Sequence, residues 1–138
     1  MSDLHRFLSA QERDYSIALH EIQNGCKRSH WIWYIFPQMK GLGDSYNSQF
    51  YGISNRQEAE AYLAEPTLNA RLREITMALL EHKNKSALQI LGIIDAMKVQ
   101  SSMTLFDAIA PNDIYAEVLK TFYNGRRCQY TLKHLKGN

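Results

Sequence analysis

From Ser29 to Ser54 only Lys40 and Asp44 carry a formal charge, and the stretch opens SHWIWYIFPQMKGLG. A segment that is apolar on nearly every side has to be wrapped by the rest of the chain. Residues 30–35 are therefore expected to form a central, buried helical element. Pro37 ends it, because the residue before a proline is pushed out of the helical region. Gly41 and Gly43 then bracket a turn that calls for positive φ or close backbone approach. Seven aromatic residues of a chain holding 5 Phe, 2 Trp and 8 Tyr fall between Trp31 and Tyr51, so the other elements must close around this region.

Those other elements read as helices. Asp3 caps a short turn carrying Leu4, Phe7 and Leu8, and Ser9 to Glu12 then has the spacing of a capping box. Tyr15, Ala18, Leu19 and Ile22 follow at helical intervals up to a stop at Gly25, with Asp14, Glu21 and Gln23 on the wet side. Ser54 to Gln57 repeats the capping signature before a helix over 58–63, and Pro66 suits the first turn of the next. Leu68, Leu72, Ile75, Leu79 and Leu80 keep that helix on one apolar stripe. Ser86 caps a short turn through Ile90, closed by Gly92, and Ile94, Met97, Ser101 and Leu105 mark a helix that Pro111 ends. Asn112 or Asp113 caps 114–123, Asn124-Gly125 stops it, and a last helix runs from about Arg127 to Leu135. Seven to nine short helices on short links predict an all-α fold, and 138 residues without a repeat or boundary predict one domain over 1–138.

Composition narrows the function classes. The net charge of +2 is too small to imply nucleic acid. After Glu117 the chain carries Lys120, Arg126, Arg127, Lys133 and Lys136 with no acid, a run read as a solvated helix face. No apolar run approaches the roughly 18 residues of a membrane span, and the start of the chain turns polar too soon for a leader. A cytoplasmic protein with reduced thiols at Cys26 and Cys128 is expected, with no membrane partner. Cys/His metal spacing, HExxH, G-x-S-x-G and the P-loop are all absent, and GLGDS lacks the third glycine of a dinucleotide turn. Neither a metal nor a cofactor is expected.

Two polar groups stand beside the aromatic stretch. Trp31 and Trp33 would lie about 200° apart on a helix, so they cannot face one neighbour. One of them is read as the wall of a cleft, stacking on a base or nicotinamide ring. Lys27 and Arg28, near a helix amino end, suit a phosphate; two solvated charges are the plain alternative. His30 is a candidate base, and Gln38 belongs to the polar lip. Further on, residues 95–106 read DAMKVQSSMTLF, with Asp95, Lys98 and Ser102 on one helical face and Ser101 adjacent. Hydroxyls in mid-helix compete for backbone bonds, so Ser101 and Ser102 serve either a ligand or close helix packing. The function read from these residues is binding or hydrolysis of a phosphorylated nucleoside such as an ADP-ribose derivative. Asp95 or His30 would activate water and Lys98 would balance developing charge. The alternative is a non-enzymatic interaction module, monomeric or dimeric, that docks through the aromatic segment. The first reading requires residues 27–38 and 95–102 to meet.

The blocks RFLSAQ (6–11), KRSHWIWYIFPQMKGLGDS (27–45), EAEAYL (58–63), DAMKVQSSMTLF (95–106), and NG (124–125) followed by TLKHL (131–135) give the chain a family likeness. It resembles a bacterial family catalogued as a domain of unknown function, whose members are often mislabelled calpastatin. The resemblance implies a compact, mainly helical fold and no established activity. It also implies an acidic residue where this chain has Cys128, so any chemistry resting on that acid would be missing here. A more distant likeness is to NADAR-type proteins linked to ADP-ribose metabolism, which are also helical with an aromatic-rich first half; no residue role carries over from them.

Overall fold

The structure, a computed structural model, describes residues 3–136. Among the described residues there are nine helices and no strand, so the fold is all-α. The first, α1 (His5–Gln23), runs unbroken through the expected restart at Ser9, and its N-cap is Leu4. Phe7, Ala10, Gln11, Ala18 and Ile22 are buried along one side of it. That continuous packing face overrides the local capping pattern at Ser9 and Glu12.

The aromatic stretch is central, as expected, but only Ile32–Ile35 is helical (α2), a single turn. Past Pro37 the chain is extended and pairs with a later segment. The Lys40 amide donates to the Ile53 carbonyl (2.8 Å) and the Ile53 amide to the Gln38 carbonyl (2.9 Å). This approach is close enough that a Cβ on Gly52 would sit 2.7 Å from Lys40 Cα, so a side chain there would force the two backbones apart. Between the paired segments lies α3 (Tyr46–Phe50), which has no counterpart in the sequence reading; the Ser45 hydroxyl accepts from the Ser48 amide at its start. Trp31, Tyr34 and Phe36 are sealed in the core, whereas Tyr46 (76% exposed) and Phe50 (43%) stack on each other at the surface.

The remaining helices follow their local signals closely. Asn55, not Ser54, caps α4 (Arg56–Ala64); the Ser54 amide instead donates to the Glu58 carboxylate (2.8 Å). Pro66 opens α5 (Pro66–Leu80), capped by Glu65, and Ser86 and Gln89 form a reciprocal capping box on α6 (Ala87–Leu91). Gly92 stands between α6 and α7 (Ile93–Ile109) with φ of 82°. Asp113 caps α8 (Ile114–Tyr123), Asn124 ends it in the left-handed region, and α9 (Gln129–Lys136) closes the chain.

The fold is organised around α7, which packs on α2, α4, α6, α8 and α9, while α1 lies across α2 and α5. The second half of α7 is engulfed: Val99 and the run from Ser101 to Asp107 are buried. Its first turns project beyond the core, leaving Ile93 and Ile94 each 68% exposed and Met97 64% exposed. Ile94 and Met97, which mark this helix in the sequence, therefore face outward.

Helix α1 grips the aromatic region through polar side chains. The Arg6 guanidinium donates to the Phe50 (2.8 Å) and Gly52 (3.0 Å) carbonyls and pairs with Glu58 (3.2 Å). The Gln11 amide donates to the Tyr34 carbonyl (2.7 Å) and the Tyr62 hydroxyl (3.0 Å), and Asp14 accepts from the Tyr34 hydroxyl. Glu21, expected on the wet side, is buried; Asp14 is half-buried and only Gln23 is fully out. Elsewhere, Lys120, Arg126, Lys133 and Lys136 are exposed, and Arg127 pairs with Asp107 (2.9 Å). Both cysteines are free thiols, and no helix is long and apolar enough to cross a membrane among the described residues.

Candidate functional site

The loop after α1 and the amino end of α7 meet. The Lys27 amide donates to the Ile90 carbonyl (2.8 Å), which ties that loop to the end of α6. The Lys27 ammonium, its side chain 5% exposed, reaches Asp95 at 2.7 Å and lies 4.7 Å from the centre of the Trp31 ring. The other Asp95 oxygen is 4.0 Å from Lys98, whose ammonium stands 5.2 Å from the centre of the Trp33 ring. A chain of alternating charge thus runs Lys27, Asp95, Lys98 and ends on an indole face.

These groups border an open cavity of about 500 Å³, whose walls include Lys27, His30, Trp33, Ile94, Asp95 and Lys98. Gly92 and Ile93 line it too, so the amino end of α7 opens into it, and no side chain caps that end. The first amides of a helix have no intrahelical acceptor and carry partial positive charge. Next to it lies a second hollow of about 230 Å³, walled by Gln38, Leu42, Ile94, Met97, Lys98 and Ser101. Ile94 and Lys98 belong to both.

Of the residues singled out from sequence, Lys27, His30, Trp33, Asp95 and Lys98 come together on the larger cavity, and Gln38 and Ser101 on the smaller. Three do not join them. Trp31 is 1% exposed and donates its indole N–H to Glu21 (2.9 Å), because it precedes the single turn of α2 and turns inward. Arg28 is exposed and borders neither hollow, and its backbone amide donates to Glu21 (2.8 Å). Ser102 is fully buried on the core side of α7. Ser101 also back-bonds within the helix, its hydroxyl donating to the Met97 carbonyl (3.1 Å).

Glu21 shapes this site without lining it. Its carboxylate accepts from the Arg28 and Ser29 amides (2.8 and 3.0 Å), the Ser29 hydroxyl (2.5 Å) and the Trp31 indole. Burial alone would raise its pKa, but the Ser29 hydroxyl, the two amides and the indole together hold it at about 2. Cys128 stands immediately before α9. Burial favours its thiol, yet donors from Ser101, Thr131 and Tyr130 move its pKa below the ordinary thiol value.

Sequence reasoning missed Leu42 and Glu21, and took Gly92 only as a stop. A glycine with positive φ between two helices is also the bare start of the second, and that double role was the available signal.

The chain matches, over residues 1–135, a family described as protein of unknown function (DUF1810), and it belongs to that family. Among solved structures it is similar to the crystal structure of the conserved hypothetical protein Rv1873 from Mycobacterium tuberculosis. The two are 38% identical with a TM-score of 0.94, over 97% of this chain and 96% of that one. Comparison with curated proteins gives no match.

Proposed function

We propose that this DUF1810 protein binds a phosphorylated nucleoside of the ADP-ribose kind in the larger cavity, its phosphate at the amino end of α7 and a ring on Trp33. One observation carries the reading: the uncapped first turn of a 17-residue helix opens into a cavity that also holds two ammonium groups and an indole face. Bare helix amides with adjacent cations favour an anion, and an aromatic face beside them suits a planar ring. The two lysines differ. Lys27 is engaged by Asp95 and by the Ser29 carbonyl, so it fixes the wall. Lys98, more distant from Asp95, is the cation that turns to the ligand. Where hydrolysis follows binding, His30 or Asp95 activates the water and Lys98 offsets the charge that develops.

Titration calorimetry with ADP-ribose, AMP and inorganic phosphate tests this. Lys98→Ala is expected to weaken ADP-ribose binding by about tenfold, or ~1.4 kcal/mol, while Arg28→Ala leaves it unchanged. Absence of heat and of any thermal shift across the three probes removes the reading.

A further inference from the structure

We infer that the smaller hollow is a second subsite for a flat ring with an amide-like hydrogen-bonding edge. The ligand is then a dinucleotide, two rings joined through a pyrophosphate, and not a mononucleotide. This rests on the reading that the larger cavity takes a phosphorylated nucleoside, and it adds the second half of that ligand.

The geometry argues it in three steps. First, the two hollows are neighbours, because Ile94 and Lys98 are walls of both. Volumes of about 500 and 230 Å³ lie within or near the range of small-molecule sites and differ in the way two unequal arms require. Lys98, at the junction, stands where a bridging anionic group between two arms would pass.

Second, Gln38 borders the smaller hollow with an unused amide. Its residue is 7% exposed, and its side chain makes no hydrogen bond to any described residue. An amide carries two donors and an acceptor, and here they are left open to a ligand. Its backbone, by contrast, is fixed, since the Gln38 carbonyl accepts from Ile53 and the next bond of the bridge joins Lys40 to Ile53. A rigid backbone presenting a free amide reads a complementary edge well, as glutamine does with the N6/N7 edge of adenine. A carboxamide presents the same donor and acceptor pair.

Third, three of the other walls are apolar, with Lys98 and Ser101 completing the lining: Leu42 is half-buried, and Ile94 and Met97 stand out from α7 at 68% and 64% exposure. Exposed aliphatic side chains on either side of a polar reader make a slot for a flat ring. These aliphatic residues are poor company for a second phosphate, so this arm takes the ring without one.

The experiment compares one two-ring probe with its halves, using calorimetry on AMP, nicotinamide mononucleotide and NAD. NAD is expected to bind at least about tenfold more tightly than the better half. Met97→Trp, a surface change that fills the slot, and Gln38→Leu, which removes the reading amide, should each bring NAD down to the affinity of that half. Far-ultraviolet circular dichroism checks that both variants fold, and the Met97 variant carries the test alone if the buried Gln38 variant does not. NAD binding no more tightly than AMP, or unchanged by Met97→Trp, overturns the second subsite and leaves the first reading standing. Failure of all three probes to bind removes both.

Discussion

Replacing Glu21 with alanine is expected to lower unfolding stability by about 3–5 kcal/mol, read from urea denaturation at neutral pH. Glu21 is 9% exposed, and its carboxylate takes four donors from three neighbouring residues of one loop. Alanine leaves the Trp31 indole N–H, the Ser29 hydroxyl and two backbone amides without their acceptor in a water-poor place. The pH dependence follows from the pKa, which falls from 4.5 to about 2 on folding. A depressed carboxyl contributes stability that is fully present above its unfolded value and is lost as pH falls through the folded one. The wild-type chain should therefore lose stability between about pH 5 and pH 2 by an increment that Glu21→Gln does not show. An alanine variant within about 1 kcal/mol of wild type at neutral pH, with the same acid limb, would refute this role. Because the same loop carries Lys27 and His30, ligand affinity should fall with it.

What was legible in the sequence had local causes. Pro66 and the Ser86 cap announce helix starts because their causes lie within one turn, and both stand as read. Ser9 and Glu12 show capping-box spacing and start nothing, because the buried face of α1 runs through them. Glu21 looked wet for a related reason: its partners are 7 to 10 residues away on a loop, and no helical periodicity reports a loop folding back. For the candidate site, the residue types were readable and their meeting was not. Nothing local in Lys27 foretells a bond to Ile90, yet that contact brings residues 27–33 against the start of α7. Trp31 and Trp33 were separable in principle, but which one faced the cavity depended on α2 beginning at Ile32. Ile94 and Met97 satisfy an apolar stripe equally well as core or as the walls of a hollow, and only the length of α7 beyond the core decides between them.

The opposite end of α1 supports the second large prediction. Arg6→Ala is expected to cost about 3–5 kcal/mol, because it strips the counter-charge from Glu58 while both are more than nine-tenths buried. It also orphans the Phe50 and Gly52 carbonyls and removes a cation 4.3 Å from the centre of the Phe7 ring. If the stranded charge dominates, neutralising it should recover much of the loss. Glu58→Gln is the right partner substitution, since a carboxamide oxygen still accepts from the Ser54 amide, now 2.8 Å away. The pair Arg6→Met and Glu58→Gln keeps apolar volume over Phe7 and should be destabilised by less than half as much as Arg6→Ala alone. Equal losses in the two would mean that the carbonyls, not the charge, set the cost. The ligand consequence separates this end of α1 from the Glu21 end. Arg6 holds Gly52, whose neighbour Ile53 anchors Gln38, so loosening it should weaken a two-ring probe at the smaller hollow and spare a single phosphate at α7. Calorimetry on the folded Arg6→Met, Glu58→Gln protein with NAD and inorganic phosphate reads that difference directly.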